Sequence, residues 1–252
     1  MKSLILHNVA RSFGGVRAVS GVSLTASAGR ITGLIGPNGA GKTTVVNLIT
    51  GLLKVTHGRI LLGTRDVTEA SAAMLARAGV SRTFQNIRLI GGASVLDNIV
   101  AGFHRHETSG MLANLLGLPS AIHERRALEA RAEVLLERFG MTALAKHPAG
   151  SLSYGHQRRI EMMRALAMEP AVLLLDEPVA GMNDREALAL ADIFKSVAQQ
   201  GVAILLIEHN MRFVMSLCEH IYVLASGHLI AEGEPDAVVR DPRVIEAYLG
   251  AR

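Results

Sequence analysis

Gly36-Pro37-Asn38-Gly39-Ala40-Gly41-Lys42-Thr43 places a glycine, four free positions, a second glycine, a lysine and a hydroxyl residue in succession. Residues of these types can hold a phosphate. The glycines let neighbouring backbone N–H groups turn toward one anion, the lysine adds a point charge, and the threonine hydroxyl is an oxygen ligand suited to Mg²⁺. The chemistry needs a frame, with a strand entering the loop and a helix leaving it so that the helix N-terminus faces the anion. Arg30-Ile31-Thr32-Gly33-Leu34-Ile35 reads as a buried strand, and Thr44-Val45-Val46-Asn47-Leu48-Ile49-Thr50 as a helix ending at Gly51.

A second group of residues could act on what the first one holds. Leu173-Leu174-Leu175-Asp176-Glu177-Pro178 sets two carboxylates at the end of an apolar run, the position at which open α/β sheets bind ligands. Asp176 can hold Mg²⁺, directly or through water, and Glu177 can polarise an attacking water. In Leu152-Ser153-Tyr154-Gly155-His156-Gln157, Ser153 alone reads as an ordinary helix cap, although a helix N-terminus with a serine and a glycine is also a ready phosphate site. The ten histidines are scattered and show neither C-x-x-C nor H-E-x-x-H spacing, so Mg²⁺ is the only metal expected.

The elements around these residues set the fold class. Leu4-Ile5-Leu6, Val19 to Leu24 and Gly58 to Leu62 are strand-like, with a turn at Gly14-Gly15. From about Ser94 to Gly150 no strand is convincing. Arg125 to Phe139 carries Leu128, Ala132, Leu135 and Phe139 at helical spacing, and Asn114 to Leu118 reads as a small apolar loop bounded by Pro119. Gln157 to Met168 reads as a helix with Ile160, Met163 and Ala167 on one side. Ala171 to Leu175 and Ala203 to Ile207 are continuous apolar runs, as in strands covered on both faces. Asp241-Pro242 signals a last helix, with a stop at Gly250. Alternating strands and helices imply a mainly parallel sheet. The expected architecture is an α/β nucleotide-binding core of residues 1–86 and 155–252, an antiparallel β subdomain, and a helical lobe inserted at 87–154.

With 252 residues, 49% hydrophobic and without tryptophan, the chain can build a sizeable aliphatic core. A net charge of +4 and the lack of a long basic run do not argue for nucleic acid. A lone cysteine, Cys218, cannot form an internal disulfide and fits a reducing compartment, where it reads as a small buried hydrophobe on a helix. No apolar run approaches the ~20 residues that span a bilayer. Met1 to Leu6 reads as a strand and not a signal peptide, so any membrane role is expected to be peripheral.

Taken in order, these motifs resemble ATP-binding cassette (ABC) proteins over essentially the whole chain. Leu152-Ser153-Tyr154-Gly155-His156 is similar to the family's Leu-Ser-Gly-Gly-Gln signature, with His156 where glutamine is usual. Phe13 looks like the aromatic that stacks on adenine, a core phenylalanine being the rival reading. Gln85, in Arg82-Thr83-Phe84-Gln85-Asn86, looks like the glutamine that contacts Mg²⁺ and the attacking water. His209, after Ile204-Leu205-Leu206-Ile207-Glu208, looks like the switch histidine of the γ-phosphate. Ala180-Gly181-Met182-Asn183 resembles the loop after the acidic strand, with asparagine where many relatives have aspartate. The phosphate loop with Asn47 to Gly51, Arg82 to Leu89, Ile207-Glu208-His209-Asn210-Met211 and the tail Asp241 to Gly250 are similar to the branched-chain amino-acid uptake ATPases. Asn210, where aspartate is common, and the small Gly91-Gly92-Ala93 depart from them.

The resemblance implies a P-loop (RecA-like) ATPase with ATP and Mg²⁺. Gly36, Pro37, Asn38, Gly39, Ala40, Gly41, Lys42, Thr43 and Thr44 would cradle the phosphates, and Lys42 would bridge β and γ. Thr43, Gln85 and Asp176 would serve the metal, Glu177 the water and His209 the transferring phosphoryl. Ser153 and Gly155 would cap ATP held by a second cassette, so two chains would close head-to-tail around two ATP molecules. The second chain would be a related ATPase or another copy. Partners would also include transmembrane permease subunits and, indirectly, an extracytoplasmic solute-binding protein. The place implied is the cytoplasmic face of the inner membrane. Rival readings are an ABC ATPase not coupled to transport, and an importer ATPase for an amide or urea.

Overall fold

The structure, a computed structural model, describes residues 2–83, 87–106 and 118–249. The chain forms two compact units, one of Met1–Arg82, Ala171–Val179 and Asn183–Arg252, the other of Thr83–Pro170 and Ala180–Met182.

The first unit holds two sheets. Strands β1 (Leu4–Phe13), β2 (Val16–Ala26), β4 (His57–Leu62) and β5 (Arg65–Asp66) make an antiparallel sheet ordered β2-β1-β4-β5. Leu4 faces Ala26 and Leu6 faces Leu24, and the register then shifts before Val9 pairs with Val22. Asn8 absorbs the extra residue at φ 48° and its N–H turns to the Ser23 hydroxyl at 2.9 Å, as expected at a bulge.

The second sheet runs β10-β9-β3-β8-β7-β6, built from β3 (Ile31–Ile35), β6 (Val80–Arg82), β7 (Val172–Asp176), β8 (Ala203–Ile207), β9 (His220–Ala225) and β10 (His228–Gly233). Every pairing in it is parallel except that of the edge strand β10 with β9. Every residue of β3, β7 and β8 is buried, which explains the continuous apolar runs Val172–Leu175 and Ala203–Ile207. Leu34, Leu174 and Leu205 join Leu4, Leu6 and Val22 of the antiparallel sheet and Val45, Val46 and Ile49 of the helix after the loop in one aliphatic core.

Helix α1 (Lys42–Ile49) leaves β3 through the glycine-rich loop. It begins two residues before the expected Thr44 because Gly41 takes the cap position in a left-handed conformation. Helices α2 (Ala72–Ala78), α6 (Asp184–Gln199), α7 (Met211–Leu217), α8 (Pro235–Arg240) and α9 (Pro242–Leu249) complete the described part of this unit. Cys218 follows α7 as its C-cap residue and does not lie inside the helix. It is buried, and burial pushes its thiol up to about 12.

The second unit is helical in its described part, with α3 (Val95–Val100), a 3-10 turn (Ala101–His106), α4 (Pro119–Arg138) and α5 (Tyr154–Ala167). Leu128, Ala132 and Phe139 are buried as their spacing predicts, but Leu136 takes the buried place expected for Leu135. Gly102 lets the 3-10 turn meet α5, since a Cβ there would lie 2.6 Å from the Arg164 carbonyl oxygen. The helical unit runs to Pro170 and so includes α5. Of the expected loop Asn114 to Leu118, only Leu118 lies within the described residues. No helix among the described residues is long and apolar enough to cross a membrane.

Candidate functional site

The loop between β3 and α1 has the shape its residue types predict. Gly36 is buried at φ 150°, and a Cβ there would sit 2.0 Å from the Leu224 carbonyl oxygen. Gly41 has φ 103°, and its Cβ would meet the Ala18 carbonyl oxygen at 2.6 Å. Only glycine fits either place. Gly39 differs, with φ 78° and no atom within 4 Å of where a Cβ would stand. The loop is thus pinned at its two ends and open in its middle.

No side chain caps α1 and its first turn carries no acidic residue. The N–H groups of Lys42, Thr43 and Thr44 therefore give the loop the uncompensated positive end of the helix. The Lys42 ammonium folds over the loop and donates to the carbonyl oxygens of Gly36 (2.7 Å) and Pro37 (3.0 Å). Burial lowers its pKa, and the charges of Glu177 and Asp176 oppose that shift. The lysine thus belongs to the electrostatic field of both carboxylates. Pro37 is half-buried, Asn38 and Thr43 are exposed and Ala40 is buried, so the loop presents its polar groups outward and anchors itself through Ala40.

The acidic pair divides at the end of β7. Asp176 is its last, buried residue. Its Oδ2 accepts from the Arg82 guanidinium at 2.8 Å, and the same guanidinium donates to Asn47 Oδ1 on α1 at 2.7 Å. Glu177 turns out of the strand in the left-handed region, φ 47°, with its N–H held by the Ile207 carbonyl at 2.9 Å. A non-glycine residue in that conformation carries strain and is a frequent mark of a functional position. His209 is 63% exposed, with Nδ1 3.6 Å from Glu177 Oε1. Lys42, Asp176, Glu177 and His209 are thus gathered at the ends of β3, β7 and β8, which are neighbours in the parallel sheet. The Thr43 hydroxyl and the Asp176 carboxylate are hard oxygen donors, the chemistry Mg²⁺ takes. Among the described residues no cluster of three histidine, cysteine, aspartate or glutamate side chains forms a separate metal site.

Phe13 ends β1 and is 44% exposed, so the rival reading as a core side chain is set aside. The Arg11 guanidinium lies 4.8 Å from its ring centroid. Gln85 lies outside the described residues.

In the helical unit, Ser153 is the N-cap of α5. Its hydroxyl accepts the His156 N–H at 3.4 Å and lies 3.0 Å from His156 Nδ1. His156 thus replaces the usual glutamine with a ring that engages the signature serine itself. Ser153 is exposed and Gly155, in the first turn, is half-buried. Two of the other departures, Asn183 and Asn210, have a simple reason. Asn183 caps α6 through a capping box with Glu186, and Asn210 caps α7 by accepting the Phe213 N–H at 3.1 Å. Asparagine and aspartate serve equally well there.

Sequence reasoning missed Arg82, Asn47 and Glu208. Arg82 follows only Val80-Ser81, too short a stretch to mark it, whereas Glu208 left a trace as an acid between a buried strand and His209. Asn47 left none.

Comparison with known proteins points to one family. Residues 19–180 match the family described as ABC transporter, and residues 228–252 match that described as branched-chain amino acid ATP-binding cassette transporter. The chain is 42% identical over 240 residues to the high-affinity branched-chain amino acid transport ATP-binding protein BraF of Pseudomonas aeruginosa, covering 94% of each. It is 40% identical to the corresponding LivG of Escherichia coli, covering 98% of this chain and 97% of that one. A solved ATP-binding cassette of an ABC transporter in its ADP conformation superposes with a TM-score of 0.85 at 34% identity, covering 99% of both chains. A nucleotide-free cassette does so at 0.85 and 33%, covering 98% of this chain and 99% of that one.

Proposed function

This chain belongs to the ABC transporter family of ATP-binding proteins, and from that premise we propose that it is the ATP-hydrolysing subunit of an importer for branched-chain or other hydrophobic amino acids. The carrying observation is the likeness to BraF and LivG along nearly the whole chain, including the tail at 228–252. Permease contacts lie in an ATPase's own surface, so such likeness tracks the transport system as well as the chemistry.

The residues act as follows. The N–H groups of Gly39, Gly41 and Lys42 hold the phosphates of ATP, while the Lys42 ammonium leaves the Gly36 and Pro37 carbonyls to bridge the β- and γ-phosphates. Phe13 offers its exposed face to adenine. Thr43, Asp176 and Gln85 would hold Mg²⁺, which when bound neutralises charge on the terminal phosphates. Glu177 orients the attacking water and accepts its proton, and the His209 ring stabilises charge on the transferring phosphoryl. Ser153 and Gly155 close on the γ-phosphate held by a second cassette, either a related subunit or another copy. ATP then bridges the two halves, and hydrolysis releases them. The helical unit passes this closure to permease subunits at the cytoplasmic face of the membrane, and an extracytoplasmic binding protein supplies the solute.

The test is capture from native membranes with a tagged Glu177→Gln variant in ATP and Mg²⁺. Two permease subunits and a second cassette are expected, together with an operative binding protein that takes leucine, isoleucine or valine. Recovery of ribosomal or DNA-associated proteins without a permease refutes the transport reading. A binding protein selective for an amide or urea refutes the amino-acid assignment alone.

A further inference from the structure

Glu208 lies between the end of β8 and His209 and is 1% exposed. A carboxylate so placed needs donors, and the structure supplies three backbone N–H groups from two separate turns. Oε1 accepts the Val179 N–H at 3.3 Å. Oε2 accepts those of His209 at 3.0 Å and Asn210 at 3.3 Å. Val179 is two residues past Glu177, on the turn leaving β7, while His209 and Asn210 form the turn leaving β8. Burial raises the carboxyl's pKa, and the three N–H groups counter it.

The two turns are also tied on their other side, where the Glu177 N–H meets the Ile207 carbonyl. Glu177, strained at φ 47°, is therefore fixed before and after its own position by the strand that carries His209. From this bracing we infer that Glu208 is a positioning residue, a clamp that makes the turn of Glu177 and the turn of His209 move as one body. The inference rests on the roles proposed above for Glu177 and His209. Each carboxylate oxygen serves one turn, so no group with a single acceptor can replace it. A glutamine of the same size keeps the volume and one acceptor, and gives up the other for an N–H₂ facing N–H donors.

The experiment compares Glu208→Gln, His209→Ala and their double variant in the full chain, measuring ATP turnover, ATP affinity by a fluorescent analogue, and thermal unfolding. Losing one charge-assisted anchor is expected to lower kcat about 10- to 100-fold, with ATP affinity within about twofold of native. The double variant should lose little beyond the worse single one, because Glu208 acts through the turn that His209 occupies. Unchanged kcat overturns the inference. So does a parallel collapse of kcat, affinity and unfolding temperature, which marks Glu208 as merely structural, and so does simple additivity with His209→Ala. Failure of the underlying reading shows separately. If Glu177→Gln hydrolyses ATP at a near-native rate, Glu177 is not the base, whatever Glu208→Gln does.

Discussion

If Asp176 serves Mg²⁺ as proposed, the ion pair of Arg82 and Asp176 links stability to metal binding in a way that can be measured. Both side chains are more than nine-tenths buried, and the charged atoms are 2.8 Å apart. The second guanidinium nitrogen reaches Asn47 on α1, so one side chain ties β6, β7 and the helix of the phosphate loop. Arg82→Met keeps most of the volume and withdraws the cation. Removing one partner of a buried pair costs about 3 kcal/mol or more. In a chain of this size that lowers the unfolding temperature by about 6–12 °C. The same argument gives the sign of the ligand effect. If Asp176 lies in the water shell of Mg²⁺, the cation supplies in the variant part of the charge that arginine supplied, so saturating ATP and Mg²⁺ should roughly halve the deficit. Differential scanning fluorimetry with nucleotide and EDTA, with ATP and Mg²⁺, and with neither tests both parts. A loss below about 1 kcal/mol would refute the claim that the pair stabilises the fold. A deficit identical in all three conditions would refute the link between Asp176 and the metal.

Four further outcomes are expected. Gly36→Ala must displace either the loop or β9, because its Cβ would lie 2.0 Å from Leu224 O; both ATP binding and unfolding temperature should fall, and retention of either contradicts the close packing. Lys42→Ala should weaken ATP affinity by at least about tenfold, since a charge-assisted phosphate contact is lost; equilibrium binding reads this, and unchanged affinity removes Lys42 from the site. Ser153→Arg should leave ATP binding by the single chain intact but stop cooperative turnover, and full activity in steady-state assays contradicts the role proposed for the signature. Cys218, held near 12 by burial, is at pH 8 only about one part in ten thousand thiolate, so the folded protein should resist alkylation that the denatured protein undergoes readily; fast native-state labelling at that pH would show the thiol to be open.

The parts of the fold that were legible in sequence are those where one local rule decides. β7 up to Leu175 and β8 are unbroken apolar runs because both faces are covered, and the loop between β3 and α1 is a spacing of glycines that few other structures require. β5 and β6 are two and three residues long, too short to show any period. They exist because longer partners hold them. β9 and β10 form a hairpin at the sheet edge through Ser226-Gly227, with Ser226 itself left-handed at φ 48°; the Ser-Gly pair is a turn signal, but the short strands beside it carry no clear alternation to go with it. Helix α6 has a readable start in the capping box of Asn183 and Glu186, although Asn183 also belongs to the loop after the acidic strand.

Within the site, the legible residues are those whose type names their chemistry, and the others are those that act on them from behind. Lys42, Asp176, Glu177 and His209 announce themselves by position at strand ends. Arg82 and Glu208 do not, because their partners are distant in sequence: Arg82 meets Asp176 across 94 positions, and Glu208 meets Val179 across 29. Both rest on the parallel register that sets β6 beside β7 and β7 beside β8. A slip of two residues between β7 and β8 would keep every side chain on its own face and leave the apolar pattern intact, yet it would carry Glu208 about 7 Å along the strand and away from Val179. Hydrophobic patterning therefore specifies the sheet but cannot by itself specify the alignment of Glu177 with His209. On this reading Glu208 holds that alignment through the N–H groups of both turns, while Arg82 fixes β7 against β6 and α1 through Asp176 and Asn47.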